Sequence, residues 1–392
     1  MWQIFGLYAE LLTKFVDNSI IILKTGRKME NIKTLKGLKI AKPVRVWLVI
    51  GLIMVFFQVV IGGITRLTGS GLSITKWEIV TGTFPPMNTA DWQSAFEEYQ
   101  ETPQYAKINA GMSLSEFKFI YFWEYFHRLW ARTMGFVFII PFFVFLRKGW
   151  LPKPLMRRLL IVVGMAAVVA SFGWIMVASG LVERPWVDAY KLTMHLSLAF
   201  ILFSYLLWTT FHAFTSNKEV IHNSRFKKFA LFITIVIAAQ IILGGLMSGM
   251  KAGLFYSTFP DMNGEIIPEV VLTNSEWNVE NLKQYDKNLF APALVQVLHR
   301  STAYLLTISI LWFFFATRKQ SFTRSFNIGN VMLITMLVIQ VLLGIFTIIN
   351  CKGTIPVGLG VMHQGGALIL LSIALFVNYQ FSNTYLSSKS TI

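Results

Sequence analysis

Eight stretches of this chain are each close to or longer than the ~20 apolar residues that a helix needs to cross a bilayer. They are Trp47–Ile64, Ile120–Leu146, Leu159–Leu181, Leu192–Phe214, Phe229–Met250, Leu294–Ala316, Val331–Ile349 and Val357–Phe381. Composition agrees: of the 392 residues 55% are hydrophobic and 14% charged, with a mean hydropathy of +0.57. A soluble chain of this size carries roughly 25% charged residues. The length therefore counts helices rather than soluble domains.

The formal charge of +16 would suggest a nucleic-acid partner if the charges were clustered. They sit instead in the connections between apolar runs, which is the pattern of membrane topology. Arg147, Lys148, Lys153, Arg157 and Arg158 fill the second connection, Lys218, Arg225, Lys227 and Lys228 the fourth, and Arg318, Lys319 and Arg324 the sixth. The long first and fifth connections carry Glu97, Glu98, Glu101, Asp261, Glu265, Glu269 and Glu280. The positive-inside rule then puts both termini in the cytoplasm and Leu67–Lys118 and Lys251–Pro292 outside. The expected location is the cytoplasmic membrane of a cell, ahead of a mitochondrial inner membrane. Cys351 is the only cysteine, which excludes an intramolecular disulfide and a thiolate zinc site.

The chain is expected to be an all-α polytopic membrane protein with eight transmembrane helices in two pseudo-symmetric four-helix bundles. Residues 1–46 read as a basic cytoplasmic leader, 47–215 as the N-terminal bundle, 216–228 as a cytoplasmic linker, 229–382 as the C-terminal bundle and 383–392 as a tail. Within the leader, Trp2–Val16 has the character of an interfacial helix, and Met29 is an alternative working start. Duplication is suggested because each long outward loop follows the first helix of a four-helix set. The odd helices repeat a pair four residues apart: Gln58 and Gly62, Gln240 and Gly244, Gln340 and Gly344. The third helix keeps Gly173 but has Val169 at the glutamine position. Small residues of this kind commonly let helices approach, whereas a buried amide needs a partner.

Ionisable groups inside spans are rare and mark function by default. The segment Tyr121–Arg132 places Glu124, His127, Arg128 and Arg132 at the start of a span. Ala293–Thr307 echoes it with His299 and Arg300, and Gln296 stands where Glu124 stands in the first copy. Of six histidines, His212 and His222 fall at the cytoplasmic end of the fourth helix and read as structural or solvated. His127, His195, His299 and His363 each fall one to two turns into an even-numbered helix, and the His127–His195 spacing nearly repeats as His299–His363. Two facing imidazole pairs in apolar bundles suit the axial ligation of haem iron. Arg66, Arg128, Arg132 and Arg300 are then candidate partners for the anionic propionates. Glu124, three residues before His127, gives the first site a carboxyl that the second lacks. Such a group can relay protons or stabilise a cationic intermediate, and the alternative is an ion pair with an arginine.

Taken together, Gly62–Pro86, Glu116–Arg128, Gly173–Leu181, Met194–His195, Leu298–Arg300 and Met362–Gln364 resemble the haem A synthase family. The resemblance covers about residues 43–382, and the lone Cys351 aligns the chain with the branch that lacks an outward-loop cysteine pair. It implies oxidation of a haem O methyl group to a formyl group by successive hydroxylations, with external electrons, giving haem A for terminal oxidases. It further implies a resident haem b on His299 and His363, substrate haem O on His127 and His195, and Glu124 as the carboxylate needed for conversion. Expected partners are the lipid bilayer, an electron donor of unknown identity, the enzyme that makes haem O and a terminal oxidase subunit; a homo-oligomer is compatible. Lys76 and Glu78 in the first outward loop are further candidates without an assigned role. Two rival readings use the same histidines: a di-haem b electron-transfer protein and a haem transporter.

Overall fold

The structure, a computed structural model, describes residues 32–76, 84–180 and 185–383. The expectations for Trp2–Val16, Met29, Glu78 and residues 384–392 lie outside the described residues.

All eight apolar runs are helices. They are α1 Lys42–Leu67, α2 Leu114–Arg147, α3 Lys153–Gly180, α4 Ala189–Phe214, α5 Ser224–Gly249, α6 Phe290–Arg318, α7 Arg324–Ile349 and α8 Val357–Gln380. Each of the eight is long and apolar enough to cross a bilayer. Most extend beyond the apolar run because polar caps start them earlier. Ser113 and Glu116 form a reciprocal capping box that begins α2 a turn and a half before Ile120. Asp188, Asn223 and Thr323 accept backbone N–H bonds at the starts of α4, α5 and α7.

Sequential helices pack as pairs: α1 with α2, α3 with α4, α5 with α6 and α7 with α8. The centre of the molecule is built from α1, α4, α5 and α8, through the pairs α1–α4, α5–α8, α1–α8, α4–α5 and α4–α8. Renumbering α1–α4 as α5–α8 maps this set of pairs onto itself with one exception. Helices α6 and α7 pack against each other, whereas α2 and α3 make no comparable contact among the described residues. Among the described residues, each helix of the second half packs on both its ring neighbours, whereas α2 and α3 of the first half do not pack closely on each other.

The main apolar core lies between the halves and includes Phe200, Phe203, Ile233, Ile237, Ile310, Phe313, Leu333, Leu368 and Leu371. Helices α4 and α5 approach closely where glycines allow it. A Cβ on Gly249 would lie 2.7 Å from the Cα of Ala189, and one on Gly245 would lie 3.1 Å from the side chain of Thr193. At the same level, Arg66 at the end of α1 donates from Nη2 to the Ser248 and Gly249 carbonyls, at 3.0 and 3.2 Å. These are terminal carbonyls of α5; that of Ser248 also accepts from Lys251 N at 3.2 Å. One guanidinium thus ties the two halves together.

One feature departs from the all-helical expectation. Strand β1, Ile32–Lys36, pairs antiparallel with β2, Asn217–Ile221, with Ile32 opposite Ile221 and Lys36 opposite Asn217. The end of the leader is therefore hydrogen-bonded to the segment that connects α4 and α5. Lys218 in β2 is buried; its Nζ donates to the Ser382 carbonyl at 2.6 Å and lies 3.5 Å from the ring centre of Tyr379.

Candidate functional site

The four histidines of interest sit on even-numbered helices, and each imidazole lies against a glycine of the preceding odd helix. A Cβ added to Gly62 would be 3.2 Å from His127, one on Gly173 2.9 Å from His195, one on Gly244 3.5 Å from His299 and one on Gly344 3.0 Å from His363. The glycines are therefore more than a means of close helix packing: they make the notches in which the rings lie. Four residues before each notch, on the same helical face, sits the ring's polar partner. Gln58 Nε2 is 2.9 Å from His127 Nε2, Gln240 Nε2 is 3.2 Å from His299 Nε2, and Gln340 Nε2 is 3.1 Å from His363 Nδ1. In α3, where the sequence offers only Val169, the backbone carbonyl of that residue accepts from His195 Nδ1 at 3.0 Å. The break in the glutamine pattern is thus filled by main chain.

This arrangement fits the axial ligation of a metal centre. The rings of His299 and His363 lie edge to face, with centroids 6.5 Å apart and planes at 73°. Two imidazoles binding one metal through bonds of about 2 Å would place their centroids roughly 6 Å apart. His127 and His195 lie within electrostatic reach of each other in the first half. With Nδ1–H held by the Val169 carbonyl, His195 leaves Nε2 free to ligate, the usual outer-shell arrangement of a metal-bound histidine. The Oε1 atoms of Gln58, Gln240 and Gln340 are buried without a partner. Each is an acceptor available to a ring N–H. Among the described residues no group of three or more His, Cys, Asp or Glu side chains converges, and the two imidazoles of each half are the candidate donors.

Glu124 and Gln296 occupy equivalent places and do equivalent work. Glu124 is 3% exposed. Its Oε2 accepts from Ser73 N at 2.7 Å, Ser73 Oγ at 2.8 Å and Ile74 N at 2.9 Å, and its Oε1 accepts from Arg128 Nη2 at 2.6 Å. Arg128 extends the contact toward the Ile74 and Lys76 carbonyls. Gln296, wholly buried, donates from Nε2 to the Tyr256 carbonyl at 2.6 Å. Arg300 donates to the carbonyls of Thr258, Pro260 and Asp261, at 2.7, 3.1 and 2.6 Å. In both halves, one residue three before the histidine and one just after it fasten the loop that follows the preceding odd helix.

The structure therefore brings together His127 with Gln58 and Gly62, and His299 with His363. It directs Arg66 to the end of α5, and Arg128 and Arg300 to their loops. Arg132 lies one turn beyond Arg128 on α2. Lys76 is an exposed partner of Glu98 at 2.5 Å. His212 is buried at the far end of α4, 3.3 Å from the Tyr379 hydroxyl, and His222 is exposed. Sequence reasoning missed Ser73, the Val169 carbonyl and Gln364, which donates to the Val59 carbonyl at 2.7 Å and joins α8 to α1. The serine beside Gly71 and Leu72 carried a turn signal, but nothing in it named Glu124 as its partner.

Comparison with known proteins bears on the same span. Residues 45–375 match the model of a family described as cytochrome oxidase assembly protein. The protein named heme A synthase of Nitrosospira multiformis is 37% identical over 370 residues, covering 94% of this chain and 99% of that protein. Those of Flavobacterium johnsoniae and Nitrosomonas eutropha are 39% and 38% identical over 344 and 341 residues, covering 87% and 86% of this chain. With paired histidines in notched helices, and a family match that spans all eight helices, the chain belongs to the haem A synthase family of cytochrome oxidase assembly proteins.

Proposed function

We propose that the chain converts haem O to haem A, with the substrate held in the first half by His127 and His195 and a resident haem b held in the second half by His299 and His363. A haem on the second pair supplies a one-electron redox centre. The observation that carries the assignment of halves is their asymmetry. Both halves present an imidazole pair, but only the first has a carboxylate, Glu124, where the second has neutral Gln296, and only in the first do the second and third helices lack close packing among the described residues.

Each group of the chain has a task in this reading. The glycine notches and their polar partners orient the imidazoles. Glu124 marks the half in which the methyl group is oxidised, by successive hydroxylations, to the formyl group. Propionates are assigned to the ends of the helices that carry Arg66, Arg128, Arg132 and Arg300, whose guanidiniums each present five donors. The farnesyl tail of haem O leaves the ring through the α2–α3 seam into lipid, which spares it contact with water. The membrane is the cytoplasmic membrane, with both termini on the cytoplasmic side. An unidentified electron donor, the enzyme that makes haem O and a terminal oxidase subunit are the partners this chemistry needs. The N-terminal and C-terminal bundles, 47–215 and 229–382, are the two functional halves.

Extraction of porphyrins from protein purified alongside a haem O source, with identification by mass, tests the reading. Haem b together with haem O, its hydroxylated intermediate or haem A is the expected result. Two equivalents of haem b per chain, with nothing else, would reject it in favour of a di-haem electron carrier.

A further inference from the structure

Among the described residues, Glu124 is the carboxylate of the candidate site, and four donors hold it. Three of those donors come from two consecutive loop residues: the N–H and hydroxyl of Ser73 and the N–H of Ile74, all on Oε2 at 2.7–2.9 Å. The fourth, Arg128, grips Oε1 at 2.6 Å and reaches the Ile74 carbonyl at 3.4 Å. Ser73 is 1% exposed, and the preceding Leu72 and Ser70 are as deeply buried. The loop between them is tied at its other end as well. Ser70 N donates to the Thr65 carbonyl at 2.9 Å, and Gln104 Nε2 donates to the Gly69 carbonyl at 2.9 Å. The segment starts at the end of α1, the helix whose Gly62 receives the His127 ring, and it closes on α2 one turn before that histidine. The second half repeats the device with different chemistry: Gln296 and Arg300 hold the Tyr256–Asp261 segment by carbonyls. A neutral amide fills the position there, so what the two copies share is fastening of a loop rather than charge.

We propose that Ser73 is a positioning residue for the N-terminal site, and that Glu124 acts through the loop it clasps. Two backbone N–H groups, one hydroxyl and Arg128 lock the carboxylate to the segment 70–76, and this lock sets that segment over the mouth of the His127 site. The proposal rests on the first half being the substrate half. Glu124 is then not a group that exchanges protons with the reacting methyl. It fixes the wall of the chamber in which that methyl lies.

The experiment compares Glu124→Ala, Glu124→Gln, Ser73→Ala and Ser73→Thr in the full-length protein carrying its resident haem. Amide hydrogen exchange at Ser73 and Ile74 is read in parallel with conversion of supplied haem O. Expected are strong protection of both amides in the parent protein and loss of protection in Glu124→Ala. In Ser73→Ala, protection and conversion should each fall by roughly tenfold, the size of one hydrogen bond to a charged group. Threonine, which keeps the hydroxyl, and glutamine, which keeps one carbonyl acceptor, should restore both together. Conversion abolished in Glu124→Gln with amide protection intact would overturn the proposal, because the carboxylate would then act at the substrate directly. So would unprotected amides in Ser73→Ala with conversion unchanged. The exchange measurement needs no turnover. If haem O is never converted even by the parent protein, the functional reading fails, while the clasp still stands or falls on amide protection.

Discussion

At the scale of single residues, the four glycine notches offer a graded test. The space behind each ring differs: an alanine Cβ would sit 2.9 Å from His195 at Gly173, 3.0 Å from His363 at Gly344, 3.2 Å from His127 at Gly62 and 3.5 Å from His299 at Gly244. Only the last is an ordinary contact distance. Overpacking a tight site costs about 1–3 kcal/mol, here spent on displacing an imidazole. Gly173→Ala and Gly344→Ala should therefore lose most of the haem bound in the first and second halves respectively, while Gly244→Ala keeps near-normal occupancy. Haem content per chain, by optical absorbance, checks the order. The glycine–glutamine spacing was legible in the sequence because both residues lie on one face, four apart. The notch itself was not, because a glycine says nothing about which ring will lie against it. Val169 shows the limit: a backbone carbonyl leaves no mark in a side-chain pattern.

At the scale of helices, α1 and α5 are joined by one buried guanidinium. Arg66 binds two carbonyls at the end of α5, those of Ser248 and Gly249. Arg66→Met should cost about 2 kcal/mol, the loss of charge-assisted bonds at a helix terminus, seen as a lower unfolding midpoint in detergent. Arg66→Lys should recover only part, since an ammonium lacks the planar fork. The helices themselves were plain from apolar length; their starts were not, because Ser113, Asp188, Asn223 and Thr323 cap them before the apolar runs begin. The ribbon of β1 and β2 was hidden. Its strands are five residues each and break their apolar positions with lysines, and the pairing joins segments about 185 residues apart.

At the scale of the whole molecule, Lys218 reports on how the β1–β2 ribbon meets the end of α8. Burial beneath the C-terminal segment lowers its pKa from 10.5 to about 7. Between about pH 7 and 10 the unfolded chain carries a proton on this lysine that the folded protein does not. Stability therefore rises with pH across that window, and the penalty is fully present below it. Lys218→Met should flatten the dependence, measured as unfolding midpoints from pH 7 to 9.5. An identical slope in parent and variant would refute the assignment to this residue.

In the proposed reading, the loosely packed seam between α2 and α3 has a kinetic consequence. Substrate and product carry the same tail and differ at one carbon, so both would pass through the same seam in the same leaflet. Supply then depends on molecules per unit area of membrane, and lateral diffusion replaces diffusion through water. A product that stays dissolved in that leaflet competes for the seam until another protein removes it. Turnover in isolated vesicles should therefore slow as haem A accumulates, and recover when an acceptor for haem A is placed in the same bilayer rather than in the surrounding solution.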